Sequence, residues 1–173
     1  MSRTSLQNVQ SIKDVLQTWN WDVFFPTIPG AADTRPFSYK MISTSIPGGA
    51  IDQVGLEAHG VKLNFAGRRT WTGTWEATVV EARDMSTRNL LVNWMEFARS
   101  WKNNSGNYKA DYAVTGELVM YDDIPKEVAN IWLLGMFPMT VGDATLDNTS
   151  GIVQYSVTFS YDYTDDKVPA GWS

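Results

Sequence analysis

Apolar and polar residues alternate over most of the chain. In Val153–Tyr163, the set Val153, Tyr155, Val157, Phe159, Tyr161 and Tyr163 opposes Gln154, Ser156, Thr158, Ser160 and Asp162. Trp71–Glu81 sets Trp71, Trp75, Ala77 and Val79 against Thr72, Thr74, Glu76 and Thr78. Around Val15–Phe25, Val15, Trp19, Trp21, Val23 and Phe25 alternate with Thr18, Asn20 and Asp22. A period of two sends one set to a dry face and the other to water, the pattern of antiparallel sheet. Shorter strands are predicted at Tyr39–Ile46, Val61–Phe65, Tyr112–Tyr121 and Ile131–Phe137. The runs Asp122-Asp123-Ile124-Pro125 and Asp147-Asn148-Thr149-Ser150-Gly151 supply turn chemistry between them.

One segment changes period. Ser86–Trp101 brings Leu90, Leu91, Trp94, Phe97, Ala98 and Trp101 to helical spacing, with Arg88, Asn89, Asn93, Glu96 and Ser100 elsewhere on the surface. Asp84 or Ser86 is placed to cap its start, and Asn103-Asn104-Ser105-Gly106 ends it. Such a helix is expected to cover one open end or face of a sandwich. Ile28–Pro36 reads as a short loop. Pro47–Thr70 is a long excursion containing Gly48-Gly49, Gly55, Gly60 and Gly67, with Arg68-Arg69 as its basic tip. It is too long to bury its own surface, and an arm that packs on a neighbouring subunit is the expectation. The predicted fold is therefore mainly β: an antiparallel β-sandwich or barrel with one flanking α-helix (86–101) and a long extended hairpin arm (47–70). The 173 residues suit a single domain, 1–173, with 1–14 as an N-terminal extension.

Composition removes several chemistries. The chain has no cysteine and one histidine, so thiol nucleophiles, disulfides, zinc thiolates and two-histidine metal motifs are excluded. His59, in Glu57-Ala58-His59-Gly60, has no nucleophile and orienting carboxylate beside it in the sequence and reads as a polar loop residue at a hairpin tip. Asp162, Asp165 and Asp166 lack the alternating oxygen-ligand loop of a calcium site and read as solvated charge at a strand end. Gly48-Gly49 has no following Lys-Ser/Thr and is not a phosphate cradle. No catalytic residue, metal site or cofactor is assigned, and the expectation is a non-enzyme. Met1–Gln10 lacks a signal pattern and no apolar run reaches membrane-span length, which predicts a soluble protein made in a cytoplasm.

The net charge of −5 is unevenly placed. Residues 1–109 carry twelve Lys/Arg against nine Asp/Glu, and residues 110–173 carry two, Lys126 and Lys167, against ten. In a self-associating chain, one end of a subunit would attract the opposite end of the next. The alternative is that acidic loops keep the chain soluble.

Several motifs occur in a familiar order. Trp75-Glu76-Ala77-Thr78-Val79-Val80-Glu81-Ala82-Arg83-Asp84-Met85-Ser86-Thr87-Arg88 runs into the helix carrying Asn93-Trp94-Met95. Gly135-Met136-Phe137-Pro138, Leu146-Asp147 and the closing Val157-Thr158-Phe159-Ser160-Tyr161-Asp162-Tyr163 follow. Over roughly residues 15–165 this set resembles the tail tube proteins of contractile-tailed bacteriophages. The resemblance implies a homohexameric ring whose inner strands join into a continuous β-barrel, with rings stacked into a hollow tube that conducts DNA into the host. It implies sheath, baseplate and tail-terminator proteins as partners, and a place in the virion tail after assembly in the host cytoplasm. Within that expectation Pro47–Thr70 bridges consecutive rings, and Arg68, Arg69, Asp122, Asp123, Asp165 and Asp166 are the candidate inter-ring contacts. Gln154, Ser156, Thr158 and Ser160 form a wet face suited to an aqueous channel, which DNA passes without specific binding. Two other readings fit the sequence: a related ring of a contractile injection machine (a baseplate tube initiator or a secreted hexamer-ring protein), and a β-sandwich glycan-binding module using exposed tryptophans.

Overall fold

The computed structural model describes residues 16–124, 126–146 and 150–167. The N-terminal fourteen residues, Val15 and Asp147 of the sequence expectations lie outside them. Among the described residues nine strands form in chain order: β1 (Trp21–Phe24), β2 (Met41–Thr44), β3 (Gly49–Ala58), β4 (Val61–Trp71), β5 (Thr74–Val80), β6 (Val114–Tyr121), β7 (Glu127–Val141), β8 (Gln154–Ser160) and β9 (Tyr163–Lys167). Helix α1 (Arg35–Ser38) and helix α3 (Lys109–Tyr112) are single turns, and α2 (Ser86–Ala98) is the long helix.

All pairings among these strands are antiparallel, and β7 belongs to two layers. Its first part lies between β6 and β9, giving a sheet in the order β1-β6-β7-β9. Its last part, Phe137–Val141, pairs with β8, giving a second sheet in the order β7-β8-β5-β2. The crossing falls at Gly135, whose φ of 71° suits glycine. A Cβ there would collide with the Asp162 carboxylate. Asp162 also marks the point where the chain leaves β8 for β9: its N–H donates to the Leu134 carbonyl, and Lys109 Nζ reaches its carboxylate at 2.6 Å.

The alternation read from Val153–Tyr163 thus spans two strands in different sheets rather than one. Asp165 and Asp166 lie inside β9, opposite Trp132 and Ile131, and not in a solvated strand end. An edge strand tolerates them because both are exposed. The first strand is also shorter than predicted. Thr18 and Trp19 form a turn, which takes Trp19 out of the alternation and leaves it 69% exposed.

The core lies between the two sheets and α2, with Phe159 at its centre. Its ring centroid is 5.6 Å from that of Trp75, 5.9 Å from Phe25 and 6.2 Å from Trp94, so it touches its own sheet, the end of β1 and the helix. The indole N–H groups of the buried Trp75 and Trp94 are satisfied. Trp75 Nε1 donates to the Ser45 carbonyl at 2.7 Å, and Trp94 Nε1 to the Tyr112 carbonyl at 2.8 Å.

Helix α2 buries Thr87, Leu91 and Trp94 against this core and ends at Ala98, short of the predicted Trp101, which is 80% exposed. Its cap is Glu81, at the end of β5, rather than Asp84 or Ser86. The Glu81 carboxylate accepts from the N–H groups of Thr87 (3.0 Å) and Arg88 (2.9 Å), two orphan donors of the first turn, and from the Tyr155 hydroxyl (2.9 Å). Asp84 accepts from the N–H and the hydroxyl of Ser86 and does not reach the Thr87 and Arg88 N–H groups, with Met85 in a left-handed conformation, φ 56°, between it and the helix. Burial pushes the Glu81 pKa upward, but the hydrogen bonds from Arg88, Ala82, Tyr155 and Thr87 outweigh it, and the carboxyl titrates below its ordinary value of 4.5. Burial, then the bond to Glu81, drives the Tyr155 hydroxyl upward.

Phe159→Ala removes the centre of the core and is expected to cost about 3–5 kcal/mol, read as a lower denaturant midpoint at unchanged slope. Because folding depresses the Glu81 pKa, its stabilisation is complete above pH 4.5 and fades as the pH falls through the lower folded value. Glu81→Gln should therefore lower the thermal midpoint at pH 7, and the gap from the unmodified chain should close in acid. A gap of constant size down to pH 3 would place the cap elsewhere.

Candidate assembly site

The second sheet presents two distinct faces. Trp75 lies opposite Phe159, Ala77 opposite Val157 and Val79 opposite Tyr155, all buried. Between them, Thr74 lies opposite Ser160, Glu76 opposite Thr158, Thr78 opposite Ser156 and Val80 opposite Gln154, on the outward face. Ser43 of β2 extends that face beside Thr78, and Thr140 of β7 extends it beside Thr158. The four wet-face residues of the sequence expectation therefore sit together, joined by neighbours from three other strands. Among the described residues placed on this face, Glu76 is the only charged one.

This sheet is open at both sides. Among the described residues no strand pairs with the outer edge of β2, and none pairs with the outer edge of β7 over Met139–Val141. The layer has four strands in strict antiparallel order, so β2 and the last part of β7 run in opposite directions. The edges of two copies are thus oriented to continue the same antiparallel ladder.

The arm leaves from one end of this sheet, between β2 and β5. The sequence suggests one short strand there, but ten residues of β3 pair with eleven of β4. The turn is His59-Gly60, with φ of 51° and 77°, the two left-handed positions a tight hairpin requires. That turn sets the tip, so Arg68 and Arg69 are not the tip. Arg69 lies opposite Ile51 near the root, its guanidinium 5.3 Å from the centre of the Trp71 ring. Trp71 anchors the root by donating to Thr164 Oγ at 3.2 Å and packing on Tyr163.

The arm is amphipathic. Val54 lies opposite Phe65, Leu56 opposite Leu63 and Ala58 opposite Val61, whereas Gln53, Gly55 and Glu57 lie opposite Ala66, Asn64 and Lys62. Pairs of this kind share a face, so the first six make one apolar stripe. All six are exposed. The period-two signal for this stripe was present in the sequence, but the run of glycines and charges obscured it.

The charged candidates are not brought together within one subunit. Asp122 and Asp123 lie in the β6–β7 turn, Asp165 and Asp166 along β9, and Arg68 and Arg69 on the arm. Among the described residues, no ion pair joins these arginines to any of the four carboxylates. None of the described residues forms a helix long and apolar enough to cross a membrane.

A four-stranded layer with two open edges, a hydroxyl-rich outward face and an apolar arm at one end defines a β protein with surfaces open to further pairing. Solved structures share this fold. The sheath/tube terminator of the PVC extracellular contractile injection system superposes with a TM-score of 0.67 at 11% identity, over 91% of this chain and 99% of that one. The tube-terminating cap of the anti-feeding prophage gives 0.66 at 11%, over 90% of this chain and 93% of that one. No family model matches the sequence. In sequence, the chain is homologous to tail tube protein gp19 of Enterobacteria phage T4, 28% identical over 131 residues that span 73% of this chain and 80% of that protein. The gp19 protein of Enterobacteria phage T6 is 27% identical over the same length.

Proposed function

We propose that this chain is the repeating subunit of a tail tube of a contractile injection machine, closing into rings that stack. The observation that carries the reading is the four-stranded layer whose two free edges run antiparallel. An exposed edge invites uncontrolled pairing, and cyclic closure through β2 and β7 satisfies every edge of this layer at once. The resulting contact is heterologous, using two different surfaces, and it closes only if the rotation per subunit divides a full turn. Six copies fit the relatives, since the baseplate of the anti-feeding prophage, which shares the fold with a TM-score of 0.58, was solved with six-fold symmetry. The ring would carry the hydroxyl face on its inside, giving a channel lined by Ser, Thr and Gln with one carboxylate per subunit. A polyanion passes such a wall without being held, because no fixed cation releases its counterions.

The arm points beyond the end of the layer, so its apolar stripe is available to the next ring. This supports stacking through apolar contact in place of the Arg68 and Arg69 tip contact expected from sequence. Those two arginines, with Asp122, Asp123, Asp165 and Asp166, then contribute at the margins, where an exposed pair is worth about 0–1 kcal/mol. A place in a virion tail, assembly in the host cytoplasm, and contacts with sheath, baseplate and terminator proteins follow from the same reading.

Negative-stain microscopy and sedimentation test it. The unmodified protein should form rings and tubes, and a 19 kDa species alone at millimolar concentration would end the proposal. Leu56→Asp with Leu63→Asp should leave rings and the unfolding midpoint intact while abolishing tubes, because neither residue touches the core. A second measurement concerns the channel. Glu76→Lys replaces each acid with a cation, and rings of this variant should retain a single-stranded oligonucleotide at low salt and release it at high salt. Equal retention by the unmodified rings would show that the hydroxyl face is not the channel wall.

A further inference from the structure

Two concave surfaces flank the free edges, an apolar groove and a mixed cleft rimmed by aromatic side chains, and both open on the same side of the second sheet. The first is a groove of about 820 Å³ along the end of β7, between that strand and the second half of α2, lined by Val92, Met95, Ala98, Trp101, Pro138 and Val141. Pro138 and Val141 lie opposite Phe159 and Val157, so the groove opens on the core side and not on the hydroxyl side. The second is a cleft of about 390 Å³ beside β2, where Tyr39 and Ile42 meet Trp19 and Trp21 of the β1 region. Ser43 of β2 lies opposite Thr78 on the hydroxyl face, whereas the cleft takes in the buried Met41 and Val23 and so opens on the core side; Ile42, the bulge residue between Met41 and Ser43, also lines it.

We infer that the groove beside α2 is the receptor for the Trp19–Tyr39–Ile42 patch of a second copy of this chain. The inference rests on the ring reading and specifies its lateral contact. Continuing the ladder antiparallel from β7 of one copy to β2 of the next sets the apolar groove beside the aromatic patch, because each borders the joined edge on its core side. The aromatic side chains supply what the groove lacks. Tyr39 is 74% exposed and Trp19 69% exposed, large surfaces for a protein in water, and aromatic anchors filling apolar pockets dominate interface energies. Charge agrees in sign. Asp22 is the charged residue of the cleft, whereas the groove carries Arg88, Arg99 and Glu96. Glu96 is engaged by the Ser100 hydroxyl at 2.7 Å and the Trp101 N–H at 3.0 Å, and Arg99 donates to the Asn104 carbonyl at 2.9 Å, which leaves a net charge of one cation in the groove. A negative patch therefore meets a surface with surplus positive charge. The arm is a poorer occupant, since it leaves from the end of the layer and not from the side that borders β7.

The absence of cysteine makes the test direct. Two double variants, Ile42→Cys with Met95→Cys and Tyr39→Cys with Val92→Cys, are treated with a short bis-maleimide and run on a denaturing gel, alongside each single variant. Microscopy and sedimentation are done on the same preparations. The expected result is a covalent ladder rising to the full ring in at least one double variant, with single variants remaining monomeric. Rings seen by microscopy with no ladder from either pair would overturn the groove assignment while leaving the ring reading standing. Dimers from Ile42→Cys alone would also overturn it, because a like-with-like contact means that the β2 faces meet each other. Preparations of the unmodified chain that sediment only as monomer would defeat both.

Discussion

Everything in this molecule answers to the hydrogen-bonding demand of strand edges. A backbone N–H or C=O away from water must find a partner, and a flat layer of four strands leaves two rows of them. The first sheet blunts its edges with short β1 and with β9, which carries exposed Asp165 and Asp166. The second also has a short edge strand in β2 and a bulge at each edge, but it has no charged side chain there. Its edges are uncharged, with Ile42 and Ser43 on one side and Met139 and Thr140 on the other. A layer built this way leaves backbone groups open to a further strand, and the even strand count orients an identical copy to supply it.

The second requirement is that the completed layer remain tied to a core. Phe159 meets it, by packing on Trp75 in its own sheet, Phe25 from the other and Trp94 from the helix. Glu81 does the same with polar groups, linking β5 to α2 through Thr87 and Arg88 and to β8 through Tyr155. One apolar and one polar node thus hold the helix in a fixed place against the layer, and the groove at the end of α2 has a defined shape because of them.

Much of this was legible in the sequence, wherever one physical signal dominated. Alternation in β5 and β8 revealed both faces of the second sheet, since a half-buried strand leaves a period-two trace. The helix was legible through Leu91 and Trp94, although Trp101 at the same spacing proved to lie beyond its end. What the pattern could not show was where a strand changes sheets. Tyr155 to Tyr163 alternates without a break, yet the chain turns at Asp162, and only the space left by Gly135 explains why. The extended hairpin arm and His59 at a hairpin tip were legible too, but the basic pair Arg68-Arg69 was a misleading sign of the tip: His59-Gly60 supplies the two left-handed residues that fix it, and Arg69 lies near the root. The candidate charge pairs are separated in one subunit, and pairing between subunits leaves no trace in a single sequence.

The passage of β7 through both sheets has a mechanical meaning. In most two-layer proteins the layers touch only through side chains, and a sideways load slides one over the other against weak dispersion contacts. Here one strand of fifteen residues runs unbroken from the first layer into the second. A load applied to one layer is carried into the other along covalent bonds. Sliding would require tearing the ladder to β6 and β9 on one side of Gly135 or the ladder to β8 on the other. A wall assembled from such subunits would resist shear through its thickness, which is the stiffness a hollow shaft needs if it is pushed from one end.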